Sequence, residues 1–374
     1  MSDKKGDNKK NIIIACGGTA GHIFPGLTLA EELLKRRSGN INISFITSDN
    51  GLAQKLLKES GYNFYTLPVK GLKKRSIFGN IDFVTSLFAG AVKSMDIVFK
   101  KRPDCFVAFG SYISGPPFMA ASLLKIPTLV HEQNVTMGRA NRLMRRFATK
   151  VALSFPTTNF ESAKDNVVIT GNPIRQAALK GGGREGARNL LGVTNDKFTI
   201  LTVGGSQGSR AVNSAAIAAF KDMDKLLRSR IQIIHITGEE DYERLKAEYQ
   251  KIDDLSNNIY PFFNDMGIVY SASDITISRA GASLVFELCA HKIPSILIPY
   301  PFAGGHQAEN AKFLADRNAA IMIEEKNLSK DSLKSAILRL LENGNLRDLM
   351  RKRLGNLAAP DAASKLADEV EALL

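Results

Sequence analysis

The chain has 374 residues, and its 44% apolar and 23% charged residues exclude a disordered, collagen-like or disulfide-stapled protein. At about 100–200 residues per domain, the length predicts two domains. Three scattered cysteines, Cys16, Cys105 and Cys289, favour a reducing compartment and offer no metal cluster.

The net charge of +13 is concentrated in the first half of the chain. Residues 1–176 contain 25 Lys and Arg against 12 Asp and Glu, whereas residues 177–374 contain 25 of each class. A basic half predicts an anionic partner, which could be nucleic acid, a phosphorylated substrate or an anionic membrane surface.

The N-terminal residues and the apolar runs lead us to expect neither a signal peptide nor a membrane-spanning segment. Residues 1–10 are polar with four lysines, which predicts a disordered leader rather than a signal peptide. The longest apolar stretches, such as 296–299, are far shorter than the ~20 residues of a membrane-spanning helix.

The first half begins with a predicted strand at 11–16, a glycine loop at 17–22 and a helix that has Pro25 near its start and ends at Gly39. Further strands are predicted at 41–47, 105–109, 128–131 and 150–154.

The second half repeats this order with a strand at 198–203, a glycine loop at 204–210 and a helix at 211–220. Further strands are predicted at 231–237, 275–278 and 295–299. The repeat predicts an α/β protein of two tandem Rossmann-like doubly wound domains.

The domain boundary is predicted near Gly171-Asn172-Pro173. Pro360 interrupts the last helical region and leaves an amphipathic helix at 361–374. We assign 11–172 together with 361–374 to a first domain and 173–360 to a second.

Both glycine loops lie between a strand and a helix. Unpaired N–H groups and a partial positive charge at a helix N-terminus bind phosphate, and glycine lets the main chain approach an anion closely. Neither loop is a P-loop or the dinucleotide fingerprint, because the Gly-Lys-Ser/Thr ending and the G-x-G-x-x-G spacing are absent. Their occurrence at equivalent positions favours anion binding over simple structural turns.

Four more motifs follow predicted strands, where α/β proteins bind ligands. Residues 109–117 form either another anion loop or a plain turn, whereas the four polar residues 131–134 favour a site. Residues 279–283 open a helix containing Glu287, whose carboxylate could accept hydrogen bonds from two ribose hydroxyls. Residues 304–310 add polar side chains after the last predicted strand.

Metal-dependent chemistry is not favoured. Asp222-Met223-Asp224 has the D-x-D spacing of metal-dependent sugar transferases, but it lies inside a helical pattern between two lysines, which predicts a solvated helix face. The five histidines show no ligand spacing.

Together these segments resemble the MurG family of bacterial transferases, a group of glycosyltransferase family 28 with the two-domain GT-B fold and an active-site cleft between the domains. Two departures stand out: Ala20 occupies a position that is usually glycine, and residues 108–111 contain less glycine than is usual. The matching motifs occur in the family's order and span nearly the whole chain: 17–22, 110–116, 131–134, 171–175, 204–210, 279–287 and 306–310.

The resemblance implies an inverting, metal-independent hexosyltransferase without a cofactor. It would move N-acetylglucosamine from UDP-N-acetylglucosamine to the C4 hydroxyl of the muramoyl sugar of an undecaprenyl-diphosphate-linked pentapeptide, a peptidoglycan precursor. The resemblance also implies a peripheral location at the cytoplasmic face of the plasma membrane, with other cell-wall synthesis proteins as further partners.

The resemblance also implies the residues of the site. The Gly204-Gly205 turn and Ser206 would hold the leaving diphosphate, and Phe263 would contact uracil through its main chain. The residues carried over as donor contacts are Thr19, Ala20, Gly21, Asn134, Arg175, Ser206, Phe263, Ala282, Ser283, Leu284, Val285, Phe286, Glu287 and Gln307.

His22 is the first candidate for the base that deprotonates the acceptor hydroxyl, because an imidazole titrates near neutral pH. The alternative is a structural histidine that caps the glycine loop. Glu132 is the second candidate for the base, and Asn134 would position the acceptor or the donor.

Two other functions are considered. A glycolipid or antibiotic glycosyltransferase, or a UDP-N-acetylglucosamine 2-epimerase, would keep the fold, but residues 131–134 and 171–175 fit the MurG family better. A nucleic-acid-binding protein is disfavoured, because the sequence contains no recognised nucleic-acid motif.

Residues 71–102 are predicted to meet the membrane. Lys73, Lys74 and Arg75 precede Ile77 and Phe78, which we predict to be exposed apolar anchors. A helical stretch follows and ends in three cations at 100–102, and its apolar residues are either further anchors or the core side of a packed helix. Those residues are Phe83, Leu87, Phe88, Ala91 and Met95, and the cations that extend the face are Arg139, Arg142, Arg145 and Arg146.

Overall fold

The structure is a computed structural model that describes residues 9–49, 51–69, 77–156, 166–205 and 207–374. At positions 20, 52, 77–84 and 303 it describes the main chain only. The chain divides into two compact units, one containing the described residues up to Pro173 together with Asp361–Leu374 and the other Ile174–Pro360.

The first unit contains a seven-stranded parallel sheet with the strand order β3-β2-β1-β4-β5-β6-β7. All four further strands predicted for this half are present. The two strands that were not predicted, β3 and β7, lie at the two edges of the sheet. The strands are β1 Lys10–Ala15, β2 Ile41–Ser48, β3 Asn63–Leu67, β4 Cys105–Ala108, β5 Thr128–Glu132, β6 Lys150–Leu153 and β7 Val167–Ile169.

Helices cover both faces of this sheet, and alternate residues of β1 point to each side. Ile12 and Ile14 pack among α1, α2 and α16, whereas Ile13 and Ala15 pack among α3, α4 and α5. The helices are α1 Ala20–Arg36, α2 Gly51–Glu59, α3 Ile77–Lys101, α4 Gly115–Leu123, α5 Arg139–Met144 and α16 Ala362–Glu371.

Helix α16 closes the first unit from the far end of the chain. Leu366, Ala367 and Val370 are buried in its core. The Arg36 guanidinium donates to Asp368 at 2.6 Å and to Glu371 at 3.0 Å. Apolar burial and charge pairing together hold this helix against α1.

Helix α3 combines one core contact with an exposed apolar stripe. Leu87 packs against the core of the first unit. Phe88, Val92, Met95 and Phe99 are exposed, and their spacing of four, three and four residues puts them on one face. The core alternative is therefore wrong for Phe88 and Met95, while the side chains of 77–84 lie outside the described residues. Among the described helices, none is long and apolar enough to cross a membrane.

The second unit contains a six-stranded parallel sheet with the order β10-β9-β8-β11-β12-β13. The predicted strands form its centre, and the unpredicted strands β10 and β13 are its edges. The strands are β8 Phe198–Val203, β9 Ile231–Ile236, β10 Ser256–Tyr260, β11 Ile275–Ser278, β12 Ser295–Leu297 and β13 Ala320–Met322.

The helices of the second unit also cover its sheet. A core of Ile200, Ile277 and Ile296 packs against α8, α10, α14 and α15, and α11 packs on α6, α7 and β8. The helices are α6 Gln176–Leu179, α7 Arg184–Leu191, α8 Arg210–Lys221, α9 Lys225–Arg230, α10 Tyr242–Tyr249, α11 Met266–Ala272, α12 Ala282–His291, α13 His306–Ala315, α14 Lys330–Glu342 and α15 Gly344–Leu357.

The D-x-D segment does not lie inside a helix as predicted. Asp222 ends α8 and pairs with Lys330 and Lys334 at 2.8 and 2.9 Å. Asp224 caps α9, because its carboxylate accepts the Leu227 N–H. The two carboxylates are thus engaged by cations and by a helix N-terminus.

Candidate active site

The loop that follows β1 packs against the loop that follows β4. A Cβ atom on Gly17 would lie 2.5 Å from Ser111 Cβ, so glycine is required for this contact. Helix α1 begins directly afterwards with Thr19 at its N-cap, and Thr19 Oγ1 lies 2.9 Å from Nδ1 of His22. Ala20 is the first residue of α1, and its helical backbone is one that alanine adopts readily.

The loop after β4 turns sharply at Gly110 and Ser111, whose φ angles are +86° and +70°. Ser114 Oγ donates to the Gly110 carbonyl and fixes this turn. A left-handed serine is uncommon and marks a backbone held by its surroundings. The segment 109–117 is therefore a tightly held turn that leads into α4.

Glu132 ends β5, and four N–H groups surround its buried carboxylate. Oε1 accepts the main-chain and side-chain N–H groups of Asn134 at 3.0 and 3.1 Å. Oε2 accepts Gly138 N–H at 2.9 Å and the Asn141 amide at 2.8 Å. Glu132 therefore organises the segment that leads into α5.

His131 lies beneath this segment and is wholly buried. Its Nε2–H donates to the Gly171 carbonyl at 3.1 Å, and its Nδ1 accepts from the Gln133 amide at 3.0 Å. Burial lowers the pKa of His131 to about 4, so the ring stays neutral at neutral pH. This contact ties the end of β5 to the chain segment that leaves the first unit.

In the second unit, the glycine loop after β8 leads into α8. Gly205 and Gly208 have φ angles of +97° and +75°, and the Ser209 hydroxyl accepts the Val212 N–H at the start of the helix. A Cβ atom on Gly208 would lie 2.3 Å from the Thr237 carbonyl oxygen. The loop thus packs against the main chain after β9. Ser206, a predicted donor contact, lies outside the described residues.

A buried chain of hydrogen bonds lies under this loop. The Tyr249 hydroxyl donates to His235 Nδ1 at 2.8 Å, and His235 Nε2–H donates to Asn213 Oδ1 at 3.0 Å. Asn213 Nδ2 then donates to the Thr237 carbonyl and to Asp241. Burial lowers the pKa of His235 to about 3, so this histidine is a neutral link in the chain.

Glu287 lies in the second turn of α12 and is almost wholly buried. The Tyr270 hydroxyl donates to its Oε2 at 2.6 Å. Burial raises the pKa of Glu287, while the Tyr270 hydrogen bond and the positive charge of Arg175 act in the opposite direction. The predicted contacts Arg175 and Glu287 therefore belong to one electrostatic group.

Gln307, in the first turn of α13, bridges two strand ends. Its Oε1 accepts the main-chain N–H groups of Ala280 and Tyr300 at 3.2 and 3.0 Å. Asn310 donates to the Ala280 carbonyl at 3.1 Å. These bonds fix the amide orientation of Gln307 and hold the loop before α12, in which residues 282–287 form the first turn and a half.

The structure shows contacts among some of the predicted residues within each unit: Thr19 with His22, Asn134 with Glu132, and the charge of Arg175 acting on Glu287. In the first unit, successive contacts join the end of β5 to the glycine loop. Asn141 bonds to Glu132 and lies next to Gly110, and the following residue, Ser111, lies next to Gly17 in the loop that leads to His22. In the second unit Phe263 packs edge-on against Tyr260 after β10. Tyr270, Asn213, His235 and Asn141 were missed, because no short sequence motif contains them.

Across the part of the chain that the structure describes, no group of three His, Cys, Asp or Glu side chains could hold a metal ion.

Two tandem parallel α/β units, each with a glycine-rich loop between its first strand and helix, match the GT-B fold class. The family models for the glycosyltransferase family 28 N-terminal and C-terminal domains match residues 12–153 and 199–366. The chain belongs to glycosyltransferase family 28, and the predicted fold class is confirmed.

Relatives and solved structures agree with this assignment. A UDP-N-acetylglucosamine–N-acetylmuramyl-(pentapeptide) pyrophosphoryl-undecaprenol N-acetylglucosamine transferase of Syntrophus aciditrophicus is 38% identical and covers 97% of this chain and 98% of its own. The Listeria monocytogenes enzyme of the same name is 35% identical over 97% of this chain and 99% of its own. The crystal structure of Acinetobacter baumannii MurG superposes with a TM-score of 0.76 at 28% identity, covering 97% and 99% of the two chains.

More distant structures share the fold alone. The calicheamicin glycosyltransferase CalG4 has a TM-score of 0.70 at 15% identity, covering 98% of each chain. The Neisseria meningitidis UDP-GlcNAc 2-epimerase has a TM-score of 0.66 at 11% identity, covering 97% of this chain and 100% of its own. The antibiotic glycosyltransferase and the epimerase therefore have much lower sequence identity to this chain than the relatives named above.

Gly208→Ala is expected to weaken UDP binding by about 1.5–3 kcal/mol, the range for losing a hydrogen bond to a charged group. The new Cβ would collide with the Thr237 carbonyl and displace the glycine loop, which we predict to bind the diphosphate. Isothermal titration of both proteins with UDP measures the difference.

Gly182→Ala is the matched control, since Gly182 also has a positive φ angle, +69°, but a Cβ there would meet no heavy atom within 4 Å. Equal UDP affinity of the two variants would show that the contact with Thr237 does not shape the nucleotide site.

Proposed function

We propose that the protein transfers N-acetylglucosamine from UDP-N-acetylglucosamine to the C4 hydroxyl of the muramoyl sugar in an undecaprenyl-diphosphate-linked muramoyl pentapeptide. The observation that carries this proposal is the match over 97% of the chain to relatives named for that activity. The loops at the strand ends support it. Those after β8, β11 and β12 of the second unit offer groups for a nucleotide, and those after β1 and β5 of the first unit offer groups for proton transfer.

The donor nucleotide is assigned to the second unit. The glycine loop 204–209 and the N-terminus of α8 offer main-chain N–H groups to the diphosphate. Glu287 accepts the ribose hydroxyls, and Gln307, whose Oε1 is held by two main-chain N–H groups, turns its amide nitrogen to the sugar. Arg175 and the main chain at Phe263 complete the donor contacts proposed for the second unit, and Thr19, Ala20, Gly21 and Asn134 are the donor contacts proposed for the first.

The reaction is a single displacement with inversion. The acceptor oxygen loses its proton to a base and bonds to the anomeric carbon, while the bond from that carbon to the diphosphate oxygen breaks and UDP leaves. Negative charge grows on the diphosphate as this bond breaks. N–H groups fixed at a helix N-terminus stabilise that charge, which is why we propose metal-independent catalysis without a cofactor.

His22 is proposed as the base, with Thr19 as its positioning partner. When Nδ1–H donates to Thr19 Oγ1, Nε2 carries the lone pair that accepts the acceptor's proton. Glu132 is less suited to this role, because its two oxygens already accept four N–H donors. We assign Glu132 and Asn134 to shaping the acceptor side.

The direct test is incubation of the protein with UDP-N-acetylglucosamine and a lipid-linked muramoyl pentapeptide analogue, with and without excess EDTA. We expect the lipid-linked disaccharide and UDP in equal amounts, and the same rate in EDTA. Absence of the disaccharide would refute the proposed reaction. Loss of activity in EDTA with rescue by a divalent ion would refute the metal-independent mechanism alone.

His22→Ala is expected to lower kcat by about 10²–10⁴, the usual contribution of a general base, and to leave UDP affinity nearly unchanged. Steady-state kinetics and UDP titration separate the two effects. Thr19→Val is the graded comparison, because it removes only the hydroxyl next to the ring, and a smaller loss is expected. Near wild-type turnover of His22→Ala would place the base elsewhere.

We also propose that the protein is peripheral to the cytoplasmic face of the plasma membrane and binds it through α3, α4 and α5. The α3 stripe defined above is one part of this face. Leu123, Leu143 and Phe147 are exposed on the neighbouring segments, and exposed cations include Lys125, Arg139, Arg142 and Arg146. Apolar side chains among cations suit an interface of anionic lipid.

Phe88→Ser with Phe99→Ser is expected to reduce binding to phosphatidylglycerol-containing vesicles and to leave UDP affinity intact. Binding of the wild type should fall with salt, since the Debye length is about 8 Å at physiological ionic strength. The matched control is Leu190→Ser with Leu226→Ser, two apolar side chains of the second unit that are 73% and 72% exposed. Equal flotation of both double variants would contradict the assigned face.

A further inference from the structure

We propose that Tyr270 is a positioning residue for the donor nucleotide, because its buried hydroxyl bonds to the Glu287 carboxylate and orients it toward the ribose hydroxyls. The inference deepens the proposed function and rests on Glu287 as the ribose contact. Tyr270 itself does not touch the nucleotide in this proposal and acts only through Glu287.

The geometry joins two helices through one buried bond. Tyr270 on α11 and Glu287 on α12 lie 17 positions apart, and the Tyr270 hydroxyl donates to Glu287 Oε2 at 2.6 Å. The two side chains are 1% and 9% exposed. An O–H···O⁻ bond of this length is typical of an ionised acceptor. This bond to Oε2 restricts the rotation of the carboxylate.

Neighbouring groups keep Tyr270 in the donating form and in place. Burial raises the pKa of Tyr270 well above its ordinary value, so the hydroxyl keeps its proton throughout the range in which the protein works. The His291 ring packs on the Tyr270 ring at 5.3 Å between centroids, and His291 Nε2–H donates to the Ala178 carbonyl. Tyr270 therefore contacts two residues of α12, Glu287 through its hydroxyl and His291 through its ring.

The charge state of Glu287 depends on few groups. Helices α6, α11, α13 and α15 pack against α12, and of their described side chains and adjoining segments Tyr270 and Arg175 bear on the pKa of Glu287. Both lower it, whereas burial raises it. Removing the Tyr270 hydroxyl removes the larger of the two opposing effects, so Glu287 takes up a proton at a higher pH. A protonated carboxyl accepts ribose hydroxyls poorly, and UDP affinity falls with it.

The experiment is a titration of Tyr270→Phe with UDP over about pH 5 to 8, the range above the ordinary carboxyl pKa. Phenylalanine keeps the buried ring and removes only the hydroxyl. We expect about tenfold weaker UDP binding at neutral pH, the order expected for a hydrogen bond to a charged group. We also expect the loss of affinity on the acid side to move to higher pH.

Two further variants make the test specific. Glu287→Gln should flatten the acid-side loss, and adding Tyr270→Phe to it should cost no further affinity, because residues that act through one another are not additive. Tyr62→Phe is the matched control, a partly buried tyrosine of the first unit that packs on Phe45, and it should match the wild type in affinity and in pH profile.

The inference is overturned if the wild type binds UDP and Tyr270→Phe shows the same affinity and pH profile. It is also overturned if the losses of UDP affinity in the double variant are additive. It is overturned too if Glu287→Gln still loses UDP affinity at acid pH as the wild type does, and this test does not depend on the folding of Tyr270→Phe. A wild type that does not bind UDP refutes the proposed function together with this inference.

Discussion

Parallel strand pairing is the constraint on which both candidate site regions depend. In each sheet every strand runs in the same direction, so all carboxyl ends meet at one edge. The loops after β1, β4 and β5 become neighbours in the first unit, and those after β8, β11 and β12 become neighbours in the second. Close approach at Gly17 and Gly208 then sets how tightly these loops pack.

The number of hydrogen-bond donors around a buried carboxylate decides whether it supports the protein structure or can bind a ligand, and two glutamates of this chain show the difference. Glu132 accepts four N–H donors and is bound up in the segment between β5 and α5. Glu287 receives one hydroxyl and keeps acceptor capacity, while burial raises its pKa. A carboxylate with all its lone pairs engaged holds protein structure, whereas one with a single fixed oxygen can bind a ligand without reorganising.

The sequence predicts the central strands well and the edge strands poorly. A strand covered on both faces is a continuous apolar run, as in β1 and β8, whereas β3 and β10 are half-exposed and mix polar with apolar residues. The glycine loops, His22, Glu287 and Gln307 could be proposed from the sequence because they lie in segments that come directly after predicted strands. Tyr270 and Asn213 could not be found, because their partners are brought to them only by the packing of separate elements.

Periodicity cannot tell which side of an apolar helix faces the core, and α3 illustrates the limit. Its 4-3-4 spacing would suit a packed stripe equally well, and charge is the better guide to the exposed face. The acidic residues of α16 enter the first unit on the other side of the sheet, where they pair with Arg36, Arg37 and Lys150. Those three cations are therefore paired with carboxylates, whereas Lys125, Arg139, Arg142 and Arg146 are exposed on the α4 and α5 side. The apolar stripe of α3 and these cations lie on the same side of the sheet, which supports the proposed contact with an anionic bilayer surface.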